Sequence, residues 1–445
     1  MKEKTYRRRG LSAPQVILLG FAAVILIGAL LLMLPISTKD RAGAPFGDAL
    51  FTSTSAVCVT GLVVRDTGSY FSIFGQSVIL LLIQIGGIGV VSVAAFFMML
   101  SGKDLSLGNR SLVREATSAP NAGGAISLML FALKVTLCAE FVGALALLPG
   151  FCSLFGARGI YMALFHAVSA FCNAGFDLMG TQSAPFVSLT GVSNNPWILF
   201  PIMFLIVFGG IGFLTWRDVI MHRYRIRKYS LQSKVVLLST AFLILLPALY
   251  FFFFEFSHLP MGERLLAAVF QSVTPRTAGF NSAPLTAMRG SALAIMILLM
   301  LIGGSPGSTA GGMKTTTFSV LIANMLSVFR RGRDVECFER RLPSDVIKQA
   351  STVFVLYLSL FFGGALIISA VDGIGIGMAL YETASAVGTV GLTLGVTPML
   401  GGVSRCVLMV LMFMGRVGGL TVIYATVAND AGVNSKFPEE RITVG

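Results

Sequence analysis

The sequence predicts an all-α membrane protein with eight transmembrane helices, arranged as four span–pore helix–span repeats around one central pore. Composition is the first reason, since 55% of the residues are hydrophobic and 12% are charged. That charged fraction is about half that of a soluble domain. The second reason is a glycine-bearing motif that recurs four times, at spacings of 114, 104 and 112 residues. Recurrence at a fixed interval indicates internal repeats.

Apolar runs near the ~20 residues needed to cross a bilayer recur along the whole chain. Eight are predicted to span it, at residues 14–36, 73–100, 125–149, 197–221, 231–254, 291–328, 346–371 and 404–428. Four shorter runs, at residues 47–59, 161–173, 264–277 and 378–389, fall within the successive pairs of spans. Runs of ~10–14 residues suit re-entrant half-helices. The predicted repeats are therefore residues 1–104, 105–228, 229–341 and 342–445.

The formal net charge of +13 is distributed as topology requires. Basic clusters precede the first predicted span and follow the second, fourth and sixth. All of them lie on one side if the spans alternate, so both termini are predicted to be cytoplasmic. This placement indicates a lipid bilayer, not nucleic acid, as the partner of the basic residues. The first apolar run exceeds the 7–15 residues of a cleaved signal peptide, so we expect it to remain as a span.

The recurring motif places a glycine just after each short apolar run. The four glycines are Gly61, Gly175, Gly279 and Gly391, and the residues directly before them are Thr60, Ala174, Ala278 and Val390. Glycine reaches positive φ without steric cost, which lets successive carbonyls point to one side. Rings of backbone carbonyls form ion selectivity filters. A glycine that merely ends a helix would explain any single motif.

A second recurrence argues against simple helix caps. Glycine clusters open at Gly86, Gly209, Gly303 and Gly415, which lie 25, 34, 24 and 24 residues beyond the motif glycines. A set of four loops with two matched glycine positions indicates one shared structure around an axis. The motif glycines and the residues before them are therefore predicted to bind K⁺ in a filter.

The third repeat contains a glycine-rich interruption within its second span. Its candidate gate residues are Gly303, Gly304, Ser305, Gly307, Ser308, Thr309, Gly311, Gly312 and Lys314. This segment cannot stay helical, because glycine costs ~1 kcal/mol and proline ~3 kcal/mol in a helix interior. A phosphate-binding loop is disfavoured, since Met313 separates Gly312 from Lys314 and a membrane span precedes the loop. A gate and a rigid kink both remain open.

Together these motifs resemble those of the Trk/Ktr/HKT superfamily of cation transporters. The resemblance rests on the four glycine motifs, above all Val273-Thr-Pro-Arg-Thr-Ala-Gly279-Phe-Asn, and on the glycine clusters that follow them. It extends over essentially the whole chain, and the length favours the bacterial Ktr branch. It implies K⁺ uptake across the bacterial plasma membrane, with Na⁺ as a modulator. Glycine at all four filter positions is the pattern that permits K⁺ in this family.

The resemblance also implies partners and a gate. Members form homodimers of membrane subunits, which dock on a cytosolic ring of nucleotide-binding regulatory subunits. The broken helix corresponds to the intramembrane loop below the filter that gates it. No motif for hydrolysis survives inspection, so the chain is predicted to be a non-enzyme without a cofactor of its own.

Two cations in the predicted spans are candidate gate residues as well. Arg416 lies some twelve residues into the last span, where a charge costs ~2.5–3.5 kcal/mol. By resemblance it is the arginine beneath the filter that raises the barrier to a passing cation. The alternative is a salt bridge that joins helices. Lys314 either takes part in the gate or extends to the headgroups.

Acidic residues give weaker signals. Asp66, Asp177, Glu263 and Glu382 lie near the predicted outer mouth, where they either attract cations or cap helices. Glu140 is an acid within the third predicted span, with no partner evident from the sequence.

Two other functions compete with a passive uptake pore. An ion-coupled secondary transporter also uses broken helices, but it predicts two repeats of opposite topology. A non-conducting membrane subunit of an ion-pumping ATPase would need no pore.

Overall fold

A computed structural model describes residues 12–100, 122–332 and 334–426. The helices of the first predicted repeat are α1 (Ala13–Leu32), α2 (Phe46–Val57), α3 (Thr67–Tyr70), α4 (Ile73–Ile88) and α5 (Val90–Leu100). Those of the second are α6 (Ala122–Phe155), α7 (Arg158–Phe171), α8 (Pro196–Ile211) and α9 (Phe213–His222).

The third predicted repeat contains α10 (Leu231–Tyr250), α11 (Met261–Val273), α12 (Gly290–Leu301) and α13 (Thr315–Phe329). A π-helical turn extends α10 to Glu255, and a hairpin of β1 (Glu336–Cys337) and β2 (Arg340–Arg341) follows α13. The fourth contains α14 (Ser344–Asp372), α15 (Ile376–Val387), α16 (Gly402–Val417) and α17 (Gly419–Thr426).

The same order of elements occurs four times. A long helix is followed by a short one, α2, α7, α11 or α15, of 12 to 14 residues. A non-helical segment with a motif glycine comes next, and a second helix follows that is interrupted within its length. At this length the short helices fall below the ~20 residues needed to cross a bilayer.

Burial is highest at the short helices and lowest on the long ones. Nine of the twelve residues of α2 are buried, including several serines and threonines. The long helices instead expose large apolar side chains, such as Leu30 (61% exposed), Phe141 (65%) and Leu366 (63%). A soluble protein would cover such faces, whereas lipid solvates them. The core therefore lies around the motif glycines, and the apolar outer surface faces the membrane.

Four described helices are long and apolar enough to span a membrane, namely α1, α6, α10 with its π-turn, and α14. The bent pairs α4–α5 and α8–α9 raise the number to six if each pair is one span. The second segments of the last two repeats are α12–α13, split by the glycine-rich loop, and α16–α17, split at Gly418. By length and composition, four to six spans are supported, and the eight-span arrangement stays a prediction.

The predicted second spans of the first two repeats contain sharp bends that the sequence analysis did not predict. The chain bends by 93° between α4 and α5 and by 94° between α8 and α9. Each bend occurs at a glycine, Gly89 or Gly212, with φ of +97°. Gly418 has φ of +92° at the break between α16 and α17. Only glycine adopts this conformation without strain, so these glycines set the direction of the chain after the break.

Candidate functional site

The four motif glycines form a closed ring. A Cβ atom built on Gly61 would lie 3.1 Å from the Cα of Gly175, and one on Gly175 would lie 3.1 Å from that of Gly279. The ring continues from Gly279 to Gly391 at 3.1 Å and closes from Gly391 to Gly61 at 2.9 Å. Each glycine thus faces the next one along the chain, and none has room for a side chain. The structure brings all four predicted filter glycines together.

Backbone carbonyls alternate with the glycines around this ring. A Cβ built on each glycine lies closest to a carbonyl oxygen of the neighbouring filter segment. This oxygen belongs to Ala174 for Gly61, to Ala278 for Gly175, to Val390 for Gly279 and to Thr60 for Gly391. Such a ring of carbonyls can replace the hydration shell of a cation. In the described part of the chain, the buried hydroxyl of Thr60 has no hydrogen-bond partner.

The backbone at the ring is strained at a second position. The motif glycines have φ between +68° and +98°, and the residues two positions earlier have φ between +51° and +70°. These earlier residues are Val59, Asn173, Thr277 and Thr389. Positive φ at a non-glycine residue costs about 1–3 kcal/mol and persists only where the surroundings impose it. Sequence reasoning missed this position, because valine and threonine give no signal for positive φ.

Hydroxyl groups at the ends of the short helices hold the filter segments. The amides of Gly61 and Gly391 each donate to a serine hydroxyl, that of Ser55 or Ser385, at 3.0 Å. The hydroxyls of Ser169 and Thr274 donate instead to the carbonyls of Phe176 and Phe280, at 2.7 and 2.6 Å. The sequence analysis did not single out these residues. The sequence does contain a signal for this role, because a serine stands six positions before three of the four motif glycines.

The second glycine clusters allow close packing behind the filter. A Cβ on Gly86, Gly209 or Gly415 would overlap the carbonyl oxygen of the last residue of the short helix in the same repeat. Those last residues are Val57, Phe171 and Val387. Gly303 departs from this pattern, since it faces Gly311 within the glycine-rich loop. In three repeats, the second glycine cluster therefore makes the same kind of contact with the end of the short helix. In the third repeat, the cluster is part of the glycine-rich loop instead.

The glycine-rich loop contacts the filter segments directly. The hydroxyl of Thr309 donates to the Phe171 carbonyl at 2.9 Å and accepts from the side-chain amide of Asn173 at 3.2 Å. A Cβ on Gly311 would overlap the hydroxyl of Thr389. Asn173 and Thr389 are two of the positive-φ residues of the filter. A shift of the loop must therefore disturb the filter contacts, and the reverse holds as well.

Main-chain hydrogen bonds attach the loop to two other repeats. The Ser305 amide donates to Gly210 O at 3.0 Å, and the Phe213 amide donates to Gly307 O at 2.8 Å. On the opposite side, the Gly312 amide donates to Gly415 O at 3.2 Å. The loop thus lies between the broken second helices of the second and fourth repeats.

Arg416 and Lys314 both donate to backbone carbonyls. The Arg416 guanidinium contacts Thr309 O in the loop, Gly86 O at 2.5 Å and Gly87 O at 3.0 Å. The Lys314 ammonium donates to Ala310 O at 2.7 Å. Among the described residues, no carboxylate forms an ion pair with Arg416, and its partners there are backbone carbonyls. Lys314 therefore folds back on the glycine-rich loop.

The loop and both cations line one cavity of about 580 Å³. Its wall also includes Gly87 to Gly89 and Gly415 to Gly419, where two of the broken helices change direction. The cavity thus connects the second glycine clusters with the segment that contacts the filter.

The acidic residues take different places. The Asp66 carboxylate caps α3 by accepting from the Ser69 amide at 2.6 Å and also accepts from the Phe186 amide at 2.9 Å. Glu382 is fully buried and accepts from the hydroxyls of Thr393 and Thr397. For these two, a structural role explains the carboxylate.

Asp177 is different, because it lies two residues beyond a filter glycine and is half-buried. Its carboxylate accepts from the Met179 amide at 3.0 Å. Burial raises the pKa of Asp177 to about 6, and the charge of Asp66 acts in the same direction. Of the remaining acids, Glu263 lies in the first turn of α11. The Glu140 carboxylate accepts from the side-chain amide of Gln84 at 3.1 Å.

Comparison with known proteins places the chain in a family. The model of the TrkH family, described as a cation transport protein, matches residues 15–435. The chain belongs to the TrkH family of cation transport proteins. The predicted membership of the Trk/Ktr/HKT superfamily is therefore confirmed, as is the prediction of a membrane transport protein that is not an enzyme.

Relatives in this family match over their full length. The chain is 39% identical to the potassium/sodium uptake protein NtpJ of Enterococcus hirae, covering 100% of this chain and 99% of that protein. It is 38% identical to the Ktr system potassium uptake protein B of Bacillus subtilis, again covering 100% and 99%.

A solved structure shares the fold. The crystal structure of the potassium transporter TrkH from Vibrio parahaemolyticus superposes with a TM-score of 0.75 at 19% identity, covering 96% of this chain and 87% of that one. Several apolar helices and this family together make the chain a multi-pass membrane protein.

Proposed function

We propose that this protein takes up K⁺ across the bacterial plasma membrane through the ring formed by its four filter segments. The closed ring of glycines and carbonyls carries the proposal, because it offers a desolvated cation oxygen ligands from four sides. Both full-length relatives are named as potassium or potassium/sodium uptake proteins. Each 100 mV of inside-negative potential contributes ~2.3 kcal/mol per monovalent cation, or roughly 50-fold accumulation, so the uptake requires no hydrolysis by this chain.

The proposed arrangement has eight spans in four repeats around the ring, with both termini in the cytoplasm. The glycine-rich loop is the proposed gate, since Thr309 and Gly311 lie against filter residues and Arg416 and Lys314 hold its carbonyls. Na⁺ is the proposed modulator.

The proposed assembly is a homodimer on a cytosolic nucleotide-binding regulatory ring. Its support is the similarity to the Ktr system subunit of Bacillus subtilis. The inverted-repeat transporter and the non-conducting ATPase subunit are less well supported, because neither function requires four segments to meet in one ring.

Serine substitutions in the ring test the filter. Gly61→Ser, and the same change at Gly175, Gly279 and Gly391, are compared in liposomes for K⁺ and Na⁺ flux per folded protein. We expect each to lower K⁺ uptake or its selectivity over Na⁺ at least about tenfold, since a displaced carbonyl ring loses ~1.4 kcal/mol or more of discrimination. Gly290→Ser is the control, because a Cβ there meets no atom within 4 Å. Parent-like selectivity in all four ring variants contradicts the proposal.

A further inference from the structure

A basic pocket lies beside the start of α10. It encloses about 700 Å³ and is lined by the basic residues His222, Arg227, Lys228, Lys234 and Arg340. No acidic residue is part of its lining. Two acids lie beside the lining, since Asp218 accepts from the pocket residue Ser230 and Glu339 stands between the lining residues Phe338 and Arg340, whereas Asp334 pairs with Arg341 at 2.9 Å. The two lysines and two arginines of the lining outnumber these two acids, so the pocket presents net positive charge.

An apolar groove begins where this pocket ends. It encloses about 890 Å³ between α10 and α13, and its lining also includes the charged residues Arg330, Asp334 and Glu336 next to and within the hairpin. Leu238 and Phe242 line it on α10 and are 62% and 58% exposed. Ile322 and Leu326 line it on α13, where Thr315 is the only buried residue of the described helix. An exposed apolar face of this kind indicates a site for an apolar partner.

The pocket and the groove are two parts of one surface. Phe338 of the hairpin lines both, and Lys234 of the pocket directly precedes Val235 of the groove on α10. From Val235 to Leu243 the groove follows α10 for ~12 Å at 1.5 Å per residue. That length is close to the ~15 Å of hydrocarbon in one leaflet.

We propose that this surface binds an anionic phospholipid, with the phosphate in the basic pocket and an acyl chain in the groove between α10 and α13. Charge selects this occupant over a second copy of the chain. A twofold contact would bring the same patch of each subunit together, and so like charges would meet. A lipid phosphate instead complements the two lysines and two arginines of the pocket, while its chain covers the apolar face.

The experiment measures lipid binding to the purified full-length protein by native mass spectrometry. Phosphatidylglycerol and phosphatidylcholine are titrated separately, and sn-glycerol 3-phosphate serves as the soluble phosphate. We expect phosphatidylglycerol to bind at least about tenfold more tightly than phosphatidylcholine, since each basic residue near the surface favours an anionic lipid about fivefold. The K234Q/R340Q variant should lose this preference. The K348Q/R289Q variant removes the same charge outside the pocket and should keep it.

A second variant tests the groove. Ile322→Trp fills the space between the helices, so it should weaken phosphatidylglycerol binding while glycerol phosphate binding is unchanged. Equal lipid preference in both charge variants overturns the proposal. Glycerol phosphate that binds as tightly as the lipid indicates a free-phosphate site and overturns it too. Loss of the dimer by Ile322→Trp with unchanged lipid binding identifies the groove as a subunit interface instead.

Discussion

At the scale of single residues, the filter depends on groups that surround the glycines. Each filter segment is held by one hydroxyl at the end of its short helix, through Ser55, Ser169, Thr274 or Ser385. The strained residues two positions before the glycines need such support, because positive φ at valine or threonine is not self-sustaining. If the ring is the filter, we expect its selectivity to depend on these supporting groups as well as on the glycines.

Removal of one hydroxyl should show this. In Ser55→Ala the Gly61 amide loses its acceptor, and an unsatisfied buried donor costs about 1–3 kcal/mol. We expect lower thermal stability and reduced K⁺ over Na⁺ selectivity, measured by unfolding of the purified protein and by liposome flux. Ser359→Ala is the control, since that exposed hydroxyl only donates to the carbonyl of its own helix. Unchanged selectivity in Ser55→Ala would show that the hydrogen bond does not hold the ring.

Asp177 predicts a pH dependence. Because burial raises its pKa to about 6, the carboxyl is neutral at lower pH and charged at higher pH. A charged carboxylate near the ring raises the local cation concentration. K⁺ uptake below saturation should therefore increase as the external pH rises from about 5 to about 7. Asp177→Asn should flatten this profile without a change at saturating K⁺. A parent-like profile in the variant would assign the dependence to another group.

At the scale of elements, glycines decide where helices break and where they touch. Gly89 and Gly212 set bends of 93° and 94°, whereas Gly86, Gly209 and Gly415 admit carbonyls of the short helices. The loop after α12 combines both uses and contacts the filter. An alanine has different consequences at a bend, at a packing contact and in the loop.

The bend after α4 isolates the backbone effect. A Cβ on Gly89 meets no atom closer than 3.9 Å, yet φ there is +97°. Gly89→Ala should therefore destabilise the protein by about 1–3 kcal/mol through conformation alone. Gly363→Ala on α14 should be neutral or stabilising, because the site is helical and has open space. Thermal unfolding of both variants in the same detergent decides the matter, and equal stabilities would refute the strain argument.

The contact between loop and filter can be tested at Gly311. In Gly311→Ala the new methyl group overlaps the Thr389 hydroxyl, so either the loop or the filter must move. We expect K⁺ flux to change at least about fivefold with the dimer intact, measured in liposomes. Gly290→Ala serves as the neutral control. Normal flux and normal regulation would reduce the loop to a rigid kink.

At the scale of the whole molecule, Arg416 joins three of the predicted repeats. It extends from the fourth repeat to the Gly86 and Gly87 carbonyls of the first and to the Thr309 carbonyl of the third. The same guanidinium is a fixed charge in the cavity that the glycine-rich loop lines. If the ring conducts K⁺ as proposed, both features oppose ion passage, one by repulsion and one by holding the loop in place.

Removal of the Arg416 charge should increase the rate of K⁺ conduction. A unit charge ~4 Å from the ion path repels K⁺ by ~4 kcal/mol at an effective dielectric constant of ~20. Arg416→Ala should therefore conduct faster than the parent. Arg416→Lys should lie between the two, because it keeps the charge but lacks the planar guanidinium that bonds several carbonyls in a fixed geometry. The measurement is K⁺ flux per folded dimer in liposomes. An alanine variant that folds and dimerises normally but conducts no faster would exclude the barrier role.

The sequence by itself determined the membrane class, the four motif glycines and the family. These follow from composition and from short motifs, because hydropathy and the conformational freedom of glycine are local properties. The glycine-rich loop was also evident as a break, since five glycines and a proline between Gly303 and Gly312 cannot form a helix.

Only the tertiary structure decided how these parts meet. The closure of the ring, the positive φ of Val59 and Thr389, and the carbonyl partners of Arg416 all depend on contacts between residues more than a hundred positions apart or on strain imposed by them. The bends at Gly89 and Gly212 were missed for a related reason. Glycine permits both a helix and a sharp turn, and packing against distant segments selects between them.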